Sequence, residues 1–206
     1  MEPTKVTAGH SPISASKQNE TTYWIRSIVF TALFAALFIA FGYVSINLGF
    51  TPVPITLQTF AVMLAGGLLG ARYGFWSIAI VVLLTAAGLP LIHGNGGLSL
   101  IFGNTGGYIW MFPISALLIG FASDRLFAST KSLSRSRVIL LFISLVLFSV
   151  VLAYIGGVPW LAYKAHMTFR EAMVAGCYPY LTGDITKAIV ATFLIRTLRP
   201  LLPKLR

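Results

Sequence analysis

A chain of 206 residues that is 57% hydrophobic and only 10% charged cannot present the surface of a water-soluble domain, which carries about 25% charge. Its net charge of +10 does not point to nucleic acid, because the basic residues sit at the edges of apolar runs and not along one polar face. The single cysteine, Cys177, excludes an internal disulfide framework and any CxxC metal site, and the length predicts one domain.

Residues 1–23 are polar and carry Pro, Ser, Thr and Lys. They are expected to form a flexible cytoplasmic tail before a single domain over residues 24–206. The sequon Asn19-Glu20-Thr21 carries no weight on a tail placed there. Ile28 to Ile46 is a charge-free run of 19 residues, enough to span a bilayer core. It is too long for a signal-peptide core and lacks a nearby small-residue cleavage site, so it is expected to remain as an anchor. Within it Ala32, Ala36 and Ala40 recur at four-residue spacing and make a smooth strip. Spacing alone favours packing of that strip against a neighbouring span of the same chain.

Thr51-Pro52-Val53-Pro54 follows in a connection from Asn47 to Gln58. Two prolines at alternate positions remove amide donors and hold the chain extended. So apolar a connection is either a lid over a cavity or a rigid link. Ile55 to Ala71 is a second run, with Gln58 near its start and Gly66, Gly67 and Gly70 near its end, closed by Arg72. Tyr73 to Ile92 is a third, ending near Gly88 and Pro90.

Two glycine-rich pieces come next, Gly94-Asn95-Gly96-Gly97 and Gly103-Asn104-Thr105-Gly106-Gly107. Neither matches a phosphate-binding spacing. They are expected to allow a tight turn or a close approach to a ligand. Gly106 to Ser123 is the fourth run, with Pro113 inside it, and membrane helices tolerate such a proline. A basic loop, Asp124 to Arg137, leads to a fifth run, Val138 to Ile155, expected to end at Gly156, Gly157 and Pro159. Trp160 and Tyr163 suit a membrane interface. Thr168 and Glu171 have capping-box spacing and predict a short helix stopped by Gly176. Cys177 to Ile195 is the sixth run.

Six spans with the N-terminus inside place twelve of the fifteen Lys and Arg residues on the inner side, against Lys164 and Arg170 outside and Lys187 within a span. That is a strong positive-inside bias. It gathers the proline-rich connection, the glycine pieces and the start of the last span at the outer face.

Asp184 is the only carboxylate and Lys187 the only lysine within these runs. A charge at bilayer depth costs roughly 2.5–3.5 kcal/mol on insertion scales and usually faces a cavity. Three residues apart, the two can share one helix face. Two accounts stand side by side. Asp184 near a helix N-terminus is favoured by the dipole, and Lys187 can merely neutralise it. Alternatively the two sit in a cavity, one accepting and one donating hydrogen bonds, around a ligand with N–H donors beside a carbonyl. Tyr180, Tyr108, Trp110 and Phe102 could then supply apolar walls.

The strings TPVPITLQTFAVMLAGGLLG, GLPLIHGNGG, TGGY and YPYLTGDITKA, in this order, resemble the BioY family of biotin-binding S components of energy-coupling-factor (ECF) transporters. The resemblance covers about Ile28 to Arg196. It implies an all-α membrane protein, a six-helix S-component bundle with both termini cytoplasmic, in a bacterial plasma membrane. It implies capture of biotin at the outer face, with no cofactor, and uptake with a transmembrane coupling subunit and two ATPase subunits. The implied binding residues are Asp184 for the ureido N–H groups, Lys187 for other polar atoms, and Asn95 for the carboxylate end. Tyr108, Tyr180, Gln58 and Thr51 complete the set, with the loop around Thr51 to Gln58 closing over it. The strip Ala32, Ala36 and Ala40 becomes the docking face for the coupling subunit, against the spacing argument. Some relatives carry arginine directly after TGGY; here Ile109 stands there, which leaves Asn95, His93 and backbone amides as partners for a carboxylate.

A self-sufficient biotin facilitator is the alternative, although no internal repeat is visible. A membrane acyl transferase is disfavoured because the sequence has neither HExxH nor HxxxxD, and His10, His93 and His166 are far apart.

Overall fold

A backbone that cannot reach water must satisfy its own N–H and C=O groups, and apolar runs of this length do so as helices. In the computed structural model, which describes residues 12–128 and 133–202, the elements are α1 (Pro12–Tyr43), strands β1 (Ser45–Ile46) and β2 (Ile55–Thr56), α2 (Gln58–Ala86), α3 (Leu98–Ile101), α4 (Gly106–Phe127), α5 (Arg135–Leu145), a π-helical turn (Val146–Val151), α6 (Leu152–Lys164), α7 (Phe169–Gly176) and α8 (Tyr178–Leu198). Among the described residues, four helices are long and apolar enough to cross a membrane: Thr21–Tyr43, Gln58–Ala86, Gly106–Phe127 and Arg135–Lys164.

Helix α2 is two arms. Gly70 has φ 82° and ψ −177° inside it, a conformation open essentially to glycine alone. The chain reverses there, so a Cβ on Gly74 would lie 2.8 Å from the Cα of Gly66. This turn divides the second and third runs of the sequence. Helix α4 packs along the α2 hairpin, and the apolar stretches of both are 61% buried, against 22% for α1 and 28% for the α5–α6 rod. The hairpin and α4 are therefore the centre, and α1 and the rod are the flanks. Phe38 of α1 meets Phe112 of α4 edge to face at 5.6 Å, a favourable aromatic geometry.

Two expectations are corrected. The polar stretch expected as a tail up to residue 23 is helical from Pro12 onward and continuous with the first span; residues 1–11 lie outside the described residues. The fifth run does not end at Gly156, Gly157 and Pro159, because α6 carries all three and runs to Lys164. Gly157 is held against the Tyr108 ring, so the missing side chain is a packing surface and not a break. The capping box forms as predicted. Thr168 Oγ1 accepts from the Glu171 amide at 3.3 Å, and the Thr168 amide donates to Glu171 Oε2 at 2.8 Å.

Candidate ligand cavity

The first turn of α2, the facing sides of α4 and α6, and the N-terminal half of α8 leave a hollow between them. Counted out to and including its open mouth, the space between these elements is about 590 Å³. Its walls are mostly apolar, with Ile109 and Phe112 from α4 and Ala153 from α6, and Val53 and Pro54 roof it from the connection between the strands.

Asp184 and Lys187 both line this hollow. Both earlier accounts are partly met, because the two are bonded to each other and yet a cavity lies beside them. Lys187 Nζ donates to Asp184 Oδ1 at 2.9 Å, to the Thr56 carbonyl at 2.6 Å and to Thr59 Oγ1 at 3.2 Å. An ammonium has three donors, and all three are used. Asp184 accepts from Lys187, from Thr59 Oγ1 at 3.0 Å and from the Tyr154 phenol at 2.6 Å. A carboxylate can take about four donors, so Asp184 keeps room for one more. The side chains are 7% and 14% exposed, which makes the network one of buried, mutually satisfied groups.

Of the residues expected at a site, Asp184, Lys187, Gln58, Tyr108 and Tyr180 come together around the hollow. The roles of the two tyrosines are set by their hydroxyls. Tyr108 donates to the Gly176 carbonyl at 2.8 Å, and Tyr180 donates to the Val53 carbonyl at 2.6 Å. Tyr180 thereby ties the proline-rich connection down to α8. Thr51 does not line the hollow. Its hydroxyl donates to the Ala175 carbonyl at 2.7 Å, a second tie holding the same connection over the cavity mouth. This extended segment is a lid fastened at two points.

Asn95 is not part of the cavity wall either. It is exposed, and its Nδ2 donates to the His93 carbonyl at 3.1 Å. The residues His93 (φ 53°) and Gly94 (φ 73°) form a tight turn between Ile92 and Asn95, which bridge each other. A left-handed pair at the centre of a turn fits the type I′ geometry. The turn carries His93 into the cavity wall and spends Asn95 on its own backbone. Trp110 and Phe102 are exposed and lean on each other at 6.0 Å, outside the wall. The glycines at Gly106 and Gly107 accommodate Trp160 of α6 and not a ligand.

Tyr154 and Thr59 escaped the sequence reading, although each bonds directly to Asp184. A tyrosine inside an apolar run reads as packing, and a threonine beside a proline-rich link reads as capping. Their phase relative to Asp184 depends on three helices that sequence spacing does not relate. Outside the spans, burial lowers the His93 pKa below its usual value, partly offset by a hydrogen bond to the Gly42 carbonyl.

The alanine strip on α1 is not packed within the chain. Ala32, Ala36 and Ala40 are all exposed, which corrects the expectation from spacing alone. Ala32 and Ala36 line an open apolar groove of about 1090 Å³ between α1 and the second arm of α2, edged by Trp24, Tyr73 and Trp76.

A family model described as the BioY family matches residues 11–204. The biotin transporter BioY of Rhizobium etli is 40% identical over 183 residues, 86% of this chain and 97% of that protein. The biotin transporter BioY of Lactococcus lactis subsp. cremoris is 32% identical over 179 residues, 85% of this chain and 91% of that protein. The crystal structure of the S-component for biotin from an ECF-type ABC transporter superposes with a TM-score of 0.79 at 31% identity, covering 88% of this chain and 94% of that one.

Proposed function

The chain belongs to the BioY family, whose curated relatives are named as biotin transporters and not as enzymes, and we propose that it captures biotin at the outer face of a bacterial plasma membrane as the substrate-specific subunit of an ECF-type transporter. The observation that carries this is the buried Asp184–Lys187 pair opening onto a lidded hollow. Biotin has a ureido ring with two N–H donors beside a carbonyl and an otherwise apolar body. Asp184 has one acceptor position left for a ureido N–H. Lys187 can serve the carbonyl by giving up its longest bond, the 3.2 Å contact to Thr59. The two charges compensate each other within the wall.

The same plan calls for six spans, two more than the four helices that are long and apolar enough among the described residues. If each arm of α2 crosses the membrane and α8 crosses as well, the chain has six spans with both termini on the basic, cytoplasmic side. The lid and cavity then face outward. The open groove with Ala32 and Ala36 is the face for a transmembrane coupling subunit, because small residues let helices approach closely in lipid. ATP hydrolysis would come from two ATPase subunits on other chains.

Titration of the purified chain with biotin by calorimetry tests capture, with saturable one-to-one binding expected. Ala36→Trp is expected to bind biotin normally and to lose co-purification with a coupling subunit. Biotin accumulation by proteoliposomes holding this chain alone would instead support a self-sufficient facilitator.

A further inference from the structure

Biotin carries a carboxylate at the end opposite its ureido ring, and the cavity wall has two side chains that can be cationic, Lys187 and His93. Lys187 donates to Thr56, Thr59 and Asp184, and once its Thr59 bond is turned to the ureido carbonyl it has no donor left for the carboxylate. His93 is differently placed. Its Nδ1 lies 2.9 Å from the Gly42 carbonyl at the end of α1. A carbonyl only accepts, so Nδ1 carries the hydrogen. Nε2 is then the ring's open position, and it has no hydrogen-bond partner among the described residues. Gln58 adds a neutral donor in the same cavity wall. It is 1% exposed and lines the cavity, and its Nε2 is buried without a partner. That nitrogen lies 3.0 Å from where a Cβ on Gly42 would stand, so both side chains gather at Gly42.

We propose that His93, seconded by the Gln58 amide, forms the carboxylate subsite, and that the chain takes up a proton on His93 Nε2 when an anionic ligand binds. The proposal rests on the biotin reading and deepens it. A neutral imidazole with hydrogen on Nδ1 presents a lone pair at Nε2, which repels a carboxylate. Protonation turns that atom into a charged donor, and the Gly42 carbonyl supports the resulting imidazolium. The groups sharing the cavity are Tyr108 from α4, Tyr154 from α6, and Tyr180, Asp184 and Lys187 from α8; the lid and α2 contribute no titratable group to the wall. Tyr43 of α1 donates to the Pro90 carbonyl, just before the turn. Asp184 and Lys187 compensate each other, so a bound carboxylate is the uncompensated charge that His93 answers. Burial keeps the empty imidazole neutral near pH 7, and an adjacent carboxylate raises its pKa on binding.

The test compares biotin with biotinamide, which lacks the charge, on the whole chain in detergent. For wild type, biotin affinity is expected to fall as pH rises from 6 to 8, by up to about one log unit per pH unit, the limit for one linked proton. Biotinamide affinity stays flat. Calorimetry in buffers of different ionisation enthalpy should register net proton uptake with biotin only. His93→Asn suits the left-handed turn position (φ 53°). It is expected to lose about 10- to 100-fold in biotin affinity, the range for a hydrogen bond to a charged group, and to bind biotin and biotinamide alike. His93→Lys is expected to keep the preference for biotin and lose the pH dependence. The assignment is overturned if His93→Asn keeps both the pH slope and the preference, or if wild type binds biotin and biotinamide equally. Binding of neither compound to wild type would overturn the biotin reading itself.

Discussion

Two acid–base pairs bracket α8, and they differ in what lies beside them. Asp184–Lys187 is in its second and third turns. Asp124–Arg199 is just past its last residue, about 22 Å further along at 1.5 Å per residue. Each pair bonds to backbone as well as to itself. Arg199 donates to the Gly67 carbonyl at 2.6 Å, to Ser123 and to Asp124, and Asp124 accepts from the Ala71 amide at 2.9 Å. Those partners flank the reversal at Gly70, so this pair knits the turn of the α2 hairpin to the ends of α4 and α8. It borders neither the cavity nor the groove. A charge pair in an apolar chain is thus no sign of a ligand by itself; the empty space beside it decides.

The contrast breaks most visibly at Asp184. Asp184→Asn keeps the shape but removes the carboxylate that answers Lys187 and the one acceptor position left for a ligand. Removing one partner of a buried charged pair at a binding site costs about 2 kcal/mol or more. The biotin dissociation constant is expected to rise at least about 30-fold, while the purified variant stays monodisperse and helical by circular dichroism. Unchanged affinity in folded protein would strip Asp184 of its role.

The second pair should respond the other way. Arg199→Met removes the charged donor from the Gly67 carbonyl and from Asp124, which keep the Ser123 hydroxyl and the Ala71 amide as donors. Asp124 is 46% exposed on its side chain and can rehydrate, so the cost is expected to be about 1–2 kcal/mol of stability. Biotin affinity should stay within about twofold. Gly70→Ala should be worse for folding, at about 1–3 kcal/mol, because its backbone conformation is open essentially to glycine and its Cβ would press on the Asp124 carboxylate. Thermal melting in detergent, run beside calorimetry, separates the two classes. A large affinity loss in Arg199→Met would mean that the two ends of α8 are coupled.

Much of this was legible beforehand, for particular reasons. The apolar runs became helices, four of them long and apolar enough to cross a membrane among the described residues, because lipid leaves helices as the way to satisfy a backbone. The three-residue spacing of Asp184 and Lys187 put them on one face because α-helical geometry is local. Thr168 and Glu171 made their capping box for the same reason. What was hidden depended on packing between elements. Nothing local marks Tyr154 as a donor to Asp184, 30 positions away. Asn95 looked available until the turn at His93 and Gly94 bent its amide back onto the chain. Gly156, Gly157 and Pro159 look like a helix end, yet α6 runs through them because Gly157 seats Tyr108.

The lid refines the comparison by separating a residue that touches ligand from one that retains it. Tyr180 borders the cavity, but its hydroxyl is engaged with the Val53 carbonyl of the lid. Tyr180→Phe removes that tie and leaves the ring wall intact. One neutral hydrogen bond contributes about 1 kcal/mol, so biotin is expected to leave about fivefold faster with its association rate little changed. Thr51→Ala, which frees the second tie at Ala175, should behave alike. An unchanged dissociation rate in both variants would show that the lid is not held by these bonds.

Glu171 marks the weak end of the scale, as an acid in no ion pair among the described residues and in the wall of neither the cavity nor the groove. The Thr168 amide, and then the Thr168 hydroxyl, donate to its carboxylate and hold its pKa below the usual glutamate value. A carboxyl whose folded pKa is lowered contributes its full stabilisation above the unfolded pKa, and loses it as pH falls through the folded value. The ionised carboxylate therefore steadies α7 at neutral pH and ceases to do so below the ordinary glutamate range. Because Glu171 is fully exposed, solvent screens the effect. Glu171→Gln should flatten only the acid limb of the melting temperature against pH, with biotin affinity at pH 7 unchanged. If that substitution lowered biotin affinity, α7 would have to belong to the binding apparatus through the Thr51–Ala175 tie, and the line between the ligand-facing acid and the merely structural ones would need redrawing.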